Sequence, residues 1–289
     1  MSLNQKIDFA IIFSVNNANP NGDPLNGNRP RTDYEGYGEI SDVCLKRKLR
    51  DRLQEHGQAI FVQSDEKKTD GMTSLQNRAY SDEFGLGKDT FDAKKTSQDE
   101  AARKACEKWF DVRAFGQIFA YKGEKKGEGV SVPIRGPVTI QSAFSVKPIS
   151  ISSTQITKSV SGEGSGEKKS SDTMGMKHRV DNAVYVTYGA MTPQLAEKTG
   201  FSDKDSELIK ELLPKLFEGD ASSARPEGSM DVDKVIWWQH GSKSGQYSSA
   251  KVHNLLKDYI SSGETLDKVS LEQALSQLDG LKSEVLEGF

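Results

Sequence analysis

The chain has 289 residues, of which 35% are hydrophobic, and a formal net charge of -3 at pH 7. This charge excludes a uniformly cationic polyanion binder, so a nucleic-acid site has to be a local basic surface offset by acid elsewhere. The length allows one large domain or two ordinary ones, and the composition predicts a modest core with long polar excursions. In a repeating assembly, acidic regions of one copy could face basic regions of the next.

Cysteine and histidine usage sets the expected compartment and cofactors. Cys44 and Cys106 lie in helix-like segments without paired spacing, which favours reduced structural thiols over a disulfide. The sequence contains no long apolar run and no signal-peptide core, so we expect a cytoplasmic protein. No histidine has a carboxylate or thiolate at metal-ligand spacing, and no metal or cofactor is expected. The four histidines, far apart in the sequence, are His56, His178, His240 and His253.

The N-terminal segment predicts a strand followed by a rigid loop. Residues 7–15 are rich in Ile, Phe and Val and predict a buried strand. Residues 16–31 contain three prolines and two Asn-Gly pairs, which are strong turn signals. The loop could bind an anion through its backbone N–H groups, although it matches neither a Walker A motif nor a dinucleotide fingerprint. An ordinary turn is the alternative.

A basic helix is predicted from Ser41 to Arg52, with Ser41 as the N-cap. Three leucines at i, i+4 spacing form one apolar stripe, and cations lie on both of its flanks. We expect the stripe to pack and both flanks to stay in water, where they could contact phosphates. A solvated helix face without a ligand is the alternative. The stripe is Leu45, Leu49 and Leu53; one flank is Lys46 and Arg50, and the other is Lys48 and Arg52.

The middle of the chain predicts an insertion, a helix and a long hairpin. Residues 63–95 are polar and aperiodic, which is typical of an insertion that contributes little to a core. A helix is predicted over Ser97–Phe110, and strands over 130–146. The alternating run 149–158 and the strand 183–190 flank a Gly- and Ser-rich segment. Together they predict one protruding hairpin with its tip near 162–171.

The C-terminal part predicts a helix at 206–213 that Pro214 bends or ends, a strand at 234–240 and two further helices. Two side-chain groups are candidates for chemistry. Met174, Met176 and His178 could contact splayed bases while the cations on either side of His178 hold phosphate, although core methionines are the alternative. An acidic trio near the first loop could assist RNA cleavage through a metal or as a base, but ion pairing and helix capping are favoured. The trio is Asp23, Asp33 and Asp42.

Several motifs in a fixed order resemble the Cas-seven family of CRISPR systems, and most closely its type I-C (Csd-two) branch. They are NPNGDP, RPRTD, GEISDVCLKRKLRD, DVRAFG, GPVTIQ and TMGMKHRVDNAVYVTYG, scattered from Ile7 to about Gly189. The resemblance implies an α+β fold in a single domain, 1–289, with an RRM-like (ferredoxin-like) palm. It also implies a finger insertion at about 63–96 and a thumb hairpin at about 148–178.

The resemblance further implies a non-catalytic backbone subunit of a Cascade surveillance complex. Such a subunit polymerises head-to-tail along a CRISPR RNA, which then pairs with target DNA. The implied partners are the CRISPR RNA, target DNA, further copies of the chain, and Cascade subunits of the Cas-five, Cas-eight and small-subunit types. An aromatic RNA-binding signature of ordinary RRM domains is missing at 113–116, so RNA is expected to cross loops, helix and thumb. The predicted RNA-binding residues are Asn21, Arg29, Arg31, Ser41, Lys46, Arg50, Arg113, Lys158, Met174, Lys177 and His178.

Two alternatives remain open at this point. One is a backbone ribonuclease, as in the related type III complexes, that cuts target RNA with Asp23 or Asp33. The other is an assembly protein that binds no nucleic acid and whose basic helix docks an acidic partner.

Overall fold

The computed structural model of the protein describes residues 1–121, 130–157, 174–261 and 268–289. The α-helices of these residues are α1 (Asp42–Glu55), α2 (Leu75–Tyr80), α3 (Gln98–Lys108), α4 (Phe110–Phe115), α5 (Pro193–Thr199), α6 (Asp203–Leu212), α7 (Ser249–Ser261) and α8 (Lys268–Leu275). Their strands are β1 (Ile7–Ala18), β2 (Gly22–Asp23), β3 (Arg29–Pro30), β4 (Tyr37–Ile40), β5 (Gly116–Tyr121), β6 (Val130–Arg135), β7 (Val138–Ile140), β8 (Ala143–Pro148), β9 (Ile151–Thr157), β10 (Met174–Met191), β11 (Met230–Gln239) and β12 (Lys282–Glu287).

A large antiparallel sheet organises the chain. Within the described residues its strand order is β12-β11-β1-β10-β8-β4, and β7 and β9 also pair with β10. The strand β10 is 18 residues long, so it pairs with β1 over its C-terminal part and with β9 at its N-terminal end. Two small antiparallel pairs, β2–β3 and β5–β6, lie outside this sheet.

Both faces of the sheet are covered at β1. Consecutive residues of this strand are apolar, so each face of the strand presents apolar side chains. Phe9, Ile11 and Phe13 point into one core with the leucine stripe of α1 and residues of α6. Ala10 and Ile12 point into a second core with residues of α7 and α8. Side chains alternate across a strand, so this continuous apolar run corresponds to a strand that is buried on both faces.

A third core was not expected from the sequence. The region 63–95 was predicted to contribute little to a core, and this prediction is wrong. Ala79 and Phe91 are buried with Phe61, Trp109 and Phe119 in a cluster that joins this region to α3 and the β5–β6 hairpin. The apolar residues of this region are too sparse to give a periodicity, but they meet aromatic residues from elsewhere in the chain.

The predicted elements are largely confirmed, with shifted boundaries. The helix predicted over Ser97–Phe110 ends at Lys108, and a separate helix, α4, follows it. The predicted hairpin is present as the β9–β10 ribbon, while its predicted tip, 162–171, lies outside the described residues. A C-terminal strand, β12, was missed.

Two smaller observations concern thiols and membranes. Cys44 and Cys106 are free thiols, and burial raises the pKa of Cys106 to about 11. None of the helices in the described parts of the chain is both long and apolar enough to span a bilayer.

Candidate nucleic-acid interface

The first loop is held in shape by its own amide side chains. Asn19 Nδ2 donates to the carbonyl oxygen of Asn28 at 2.6 Å. Asn21 Oδ1 accepts from both the backbone N and the hydroxyl of Ser41, each at 3.0 Å. Ser41 Oγ in turn accepts from Cys44 N at 3.3 Å, which confirms the predicted N-cap of α1. Asn21 and Ser41 therefore join the loop to the helix, and their polar atoms are engaged with each other.

The first cationic flank of α1 carries internal partners. Lys46 Nζ lies 2.9 Å from Asp42 Oδ2 in an i, i+4 pair that keeps partial exposure. Arg50 Nε lies 3.0 Å from Asp111 Oδ2, with its guanidinium 5.0 Å from the Phe115 ring centre, and is 13% exposed. A surface pair such as that of Lys46 contributes little and can exchange for a phosphate, whereas the half-enclosed Arg50 is committed to the fold.

The second flank of α1, Lys48 and Arg52, was expected to lie in water, and this expectation is wrong. Lys48 is 1% exposed and Arg52 is 6% exposed. The Lys48 ammonium contacts Asp220 and lies 5.5 Å from the Phe217 ring centre. Burial lowers the pKa of Lys48 to about 7. The segment after α6 covers this flank, a long-range contact that helical periodicity does not encode.

Of the two further predicted residues, the structure describes Arg113. Arg113 donates to both carboxylate oxygens of Asp205, at 2.8 and 3.2 Å, and its guanidinium lies 4.5 Å from the Phe110 ring centre. It connects α4 to α6. Lys158 lies outside the described residues.

The β9–β10 ribbon has two different faces. Met174, Met176 and His178 alternate along β10 and therefore share one face. The methionines are 66% and 55% exposed, as expected for residues that contact a ligand. His178 is only 9% exposed, and its Nδ1 lies 2.8 Å from Ser153 Oγ across the ribbon. On this face the two methionines are therefore exposed, while the His178 ring is covered and engaged with Ser153.

Lys177 and Arg179 occupy the opposite face of the ribbon, at the end where it joins the sheet. The short strand β3, which begins at Arg29, packs beside β10, and Ala18 pairs with Val180. The first loop and the base of the ribbon therefore meet. We call the four cations at this meeting point the cationic junction: Arg29, Arg31, Lys177 and Arg179.

The cations of the junction are poorly neutralised by the rest of the chain. Arg31 lies 3.6 Å from the Asp23 carboxylate, a long pair at a partly exposed position. Within the described residues, Arg29, Lys177 and Arg179 form no ion pair, and the buried Nε atoms of Arg31 and Arg179 have no hydrogen-bond partner. Unpaired buried donors on arginine are costly, so this arrangement suits an anion supplied from outside. Arg179 is one of the two cations beside His178 that the sequence pattern predicts to hold phosphate.

The acidic trio has structural partners. Asp23 Oδ1 accepts from Leu25 N at 3.1 Å, and Asp33 Oδ1 accepts from Glu35 N and Tyr37 N, both at 2.9 Å. Asp42 pairs with Lys46. The favoured interpretation, ion pairing or helix capping, holds for Asp23, which also pairs with Arg31, and for Asp42, whereas Asp33 accepts backbone hydrogen bonds in a turn.

Two histidines that are distant in sequence converge in the structure, which corrects the view that all four are isolated. His240 Nε2 lies 2.8 Å and His253 Nε2 lies 3.4 Å from the carboxylate of Asp8, which is fully buried. Burial alone would raise the pKa of the Asp8 carboxyl, but the hydrogen bond from His240 and the nearby His253 and Lys6 hold that pKa well below its usual range. No group of His, Cys, Asp or Glu in the described parts of the chain has the arrangement of a metal site. This cluster ties α7 to β1 and β11.

The large antiparallel sheet, the helices on both of its faces and the protruding ribbon define an α+β protein with a cluster of poorly paired cations at the base of the ribbon. A family model described as CRISPR-associated protein Cas7 matches residues 5–276. The chain therefore belongs to the Cas7 family, in agreement with the resemblance of its motifs.

The chain is also similar to individual known proteins. A CRISPR-associated protein Cas7 of Haloferax volcanii is 26% identical over 281 residues, which cover 93% of this chain and 80% of that protein. A chain of a CRISPR RNA-guided surveillance complex superposes with a TM-score of 0.51 at 14% identity, over 98% of this chain and 88% of that one. A chain of a pre-nicking CRISPR RNA-guided surveillance complex gives a TM-score of 0.46 at 17% identity, over 81% and 75%. The similarity at a TM-score of 0.51 establishes a shared fold with a large antiparallel sheet.

Proposed function

We propose that the protein is a non-catalytic backbone subunit that polymerises head-to-tail along a CRISPR RNA in a type I-C, Cascade-like complex for RNA-guided DNA recognition. In this proposal the main sheet and its helices form an RRM-like palm, residues 63–96 the finger and residues 148–178 the thumb. The observation that carries the proposal is the cationic junction at the base of the β9–β10 ribbon, with cations that the described chain does not neutralise.

Phosphates of the guide are the proposed ligands of the junction. Arginine donates in a planar fork that matches phosphate oxygens, and Arg29, Arg31 and Arg179 provide three such groups. Contacts of this kind recognise the sugar-phosphate backbone and carry no base information. Binding is therefore expected to be independent of guide sequence, which leaves the bases free to pair with target DNA.

The methionine face of the ribbon has a separate proposed role. Met174 and Met176 are unbranched, polarisable and exposed, so they can pack against the faces of bases without hydrogen-bond selectivity. The two faces of one ribbon would then contact different parts of the same strand, with cations on phosphates and methionines on bases. This division supports a thumb that interrupts base stacking at regular intervals.

The test is co-expression with a CRISPR array. We expect the purified protein to carry RNA, seen as a raised ratio of absorbance at 260 to 280 nm, and to form particles whose mass increases with guide length. Binding to unrelated single-stranded RNAs of equal length should agree within about threefold. The logarithm of affinity should fall with the logarithm of salt by about 0.7 per phosphate contacted.

Two results would contradict the proposal. Protein free of RNA that has no affinity for single-stranded RNA at low salt would favour an assembly protein of another kind. Metal-dependent cleavage of a complementary target RNA that is lost in Asp23→Ala or Asp33→Ala would show a catalytic backbone.

A further inference from the structure

A cleft between α3, β6 and α5 has no part in the proposed function, and we call it the basic cleft. Its volume is about 570 Å³, which falls in the range of about 300–1,000 Å³ that is typical of ligand-binding clefts. None of its described lining residues belongs to the cationic junction or to the methionine face. The basic cleft is therefore a second candidate binding surface, distinct from the interface proposed for RNA.

The lining of the basic cleft has an excess of positive charge. It contains three cations, Arg103, Arg135 and Lys198, and one acid, Asp99. Arg103 pairs with Glu107 at 2.6 Å. Arg135 and Lys198 are exposed, and in the described parts of the chain neither side chain has an ion-pair or hydrogen-bond partner. Two positive charges of the cleft therefore remain unpaired.

The local structure explains why these two cations lack partners. Arg135 lies opposite Gly116 in the β5–β6 hairpin, so the adjacent strand supplies no side chain beside it. Glu197, the acid that precedes Lys198 in the sequence, pairs with Lys243. Exposed arginine and lysine side chains in this situation can donate to the carboxylates of another molecule.

Apolar surface continues from the cleft onto the outer face of the β5–β6 hairpin. Ile134 and Leu195 line the cleft and are half-buried. Pro133 also lines the cleft and lies opposite Ile118, which is 63% exposed. Aliphatic surface of this kind, next to unpaired cations, is typical of a docking surface, because a partner that covers it removes it from water.

Two features distinguish the basic cleft from a nucleic-acid site. None of the lining residues that the structure describes is aromatic, so the cleft lacks a platform on which bases stack. Helix α6 begins five residues after Lys198 and presents Glu207 and Glu211 as exposed acids, neither of which has a partner within the described residues. A polyanion that continued from the cleft along α6 would meet these carboxylates, whereas a short acidic segment ends before them.

We propose that the basic cleft docks a short segment of another protein that carries both acidic and aliphatic side chains. Carboxylates of this segment pair with Arg135 and Lys198, and an aliphatic side chain packs on Ile134 and Leu195. The carboxylates of α6 orient the segment, because they repel its acidic residues from that side. The inference goes beyond the proposed function and does not depend on RNA binding.

Binding of defined peptides to the purified protein, in the absence of RNA, tests this contact. The probe is a fluorescein-labelled peptide that repeats Leu-Glu-Glu-Leu. One matched control repeats Leu-Gln-Gln-Leu, which removes the charge, and the other repeats Ser-Glu-Glu-Ser, which removes the aliphatic side chains. Fluorescence anisotropy measures the affinity of each peptide. We expect the probe to bind about tenfold more tightly than either control, because ion pairs and apolar contact both contribute.

Two protein variants locate the binding site of the probe. Arg135→Glu with Lys198→Glu, the cleft variant, should bind the probe about tenfold more weakly than the wild type, because two favourable ion pairs become repulsive. Lys251→Glu with Lys257→Glu makes the same change of charge on α7, which covers the opposite face of the sheet from α5, and should retain the affinity of the wild type. Both variants should bind single-stranded RNA as the wild type does. The peptide series uses the unaltered protein, so the test does not depend on the folding of a variant.

Four outcomes would overturn the inference. The first two are equal binding of the probe and its controls, and unchanged binding of the probe in the cleft variant. Loss of RNA binding in the folded cleft variant would mean that the basic cleft binds nucleic acid. A dimer of the wild type, seen by light scattering and absent in the cleft variant, would make a second copy the occupant. Failure of the wild type to bind RNA would contradict only the proposed function.

Discussion

Helix α1 and the cationic junction are both rich in Lys and Arg, but their cations lie in different electrostatic environments. The cations of α1 that are nearest the core are held by Asp111, Asp220 and Glu55. Within the described residues, the four cations of the junction form one long ion pair, between Arg31 and Asp23. A cluster of Lys and Arg therefore predicts a binding surface only where the fold leaves its charges unpaired.

The largest expected effect is a loss of RNA affinity when two cations of the junction are removed. Arg31→Ala with Arg179→Ala should weaken RNA binding about 100-fold at 0.1 M salt, because each removes a charge-assisted contact to phosphate. The slope of log affinity against log salt should fall by about 1.4. Filter binding across a salt series measures both quantities.

The matched control for that change is Lys251→Ala with Lys257→Ala, which removes two exposed cations on α7. It should retain the affinity and salt slope of the wild type. Equal losses in both variants would mean that general charge, and not the junction, governs RNA binding.

The next effect concerns stability. Arg50→Ala leaves the Asp111 carboxylate, which is 1% exposed, without its cation, and should reduce the free energy of unfolding by about 3 kcal/mol. The same carboxylate accepts from Phe61 N at 2.7 Å and Val62 N at 3.0 Å, so the chain before the finger should loosen as well. Urea unfolding measures the loss.

Arg50→Lys, which keeps the charge, should lose less stability than Arg50→Ala. The folded Arg50→Ala protein should bind RNA within about threefold of the wild type. A stable Arg50→Ala protein with an affinity as low as that of the junction variant would place Arg50 on the RNA.

A smaller effect is expected from the buried Asp8 cluster. The folded-state pKa of Asp8 is depressed below its unfolded value of 3.8, so its stabilisation is present above pH 4 and is lost as pH falls through the folded-state pKa. Asp8→Asn should therefore cost about 2 kcal/mol at pH 7 and progressively less below pH 4. Urea unfolding of both proteins at a series of pH values checks this, and a difference that does not shrink in acid would contradict it.

The smallest effect on affinity is expected from the methionine face. Met174→Ser with Met176→Ser should change RNA affinity by less than about threefold, because the phosphate contacts remain. It should alter the periodic pattern of base reactivity along the bound RNA, as read by chemical probing. An unchanged pattern of base reactivity would show that the methionine face does not contact the bases.

Several elements followed directly from the sequence. The first strand, the Ser41 cap, the leucine stripe of α1 and the exposure of the two methionines were predicted correctly. Strand alternation, helical periodicity and side-chain capping act within a few residues, so sequence patterns contain them.

Other features depended on contacts across the chain. The burial of Lys48 by the segment around Asp220, the core between Phe91 and Phe119, and the convergence of His240 and His253 on Asp8 join residues far apart in sequence. One sequence contains no pattern that identifies such partners. Arg179 was predicted to hold phosphate from its place beside His178, but the lack of a hydrogen-bond partner for its buried Nε among the described residues appears only when the surrounding strands are in place.

The sequence by itself determined the family, the order of most secondary-structure elements and the residue types that can hold an anion, since these depend on motifs and local patterns. The tertiary structure alone decided which cations are neutralised within the fold and which remain open to a ligand or a partner protein. The physical reason is that the interaction energy of a charge depends on its surroundings. The same side chain stabilises the fold beside a buried carboxylate and can bind a partner where no carboxylate is near.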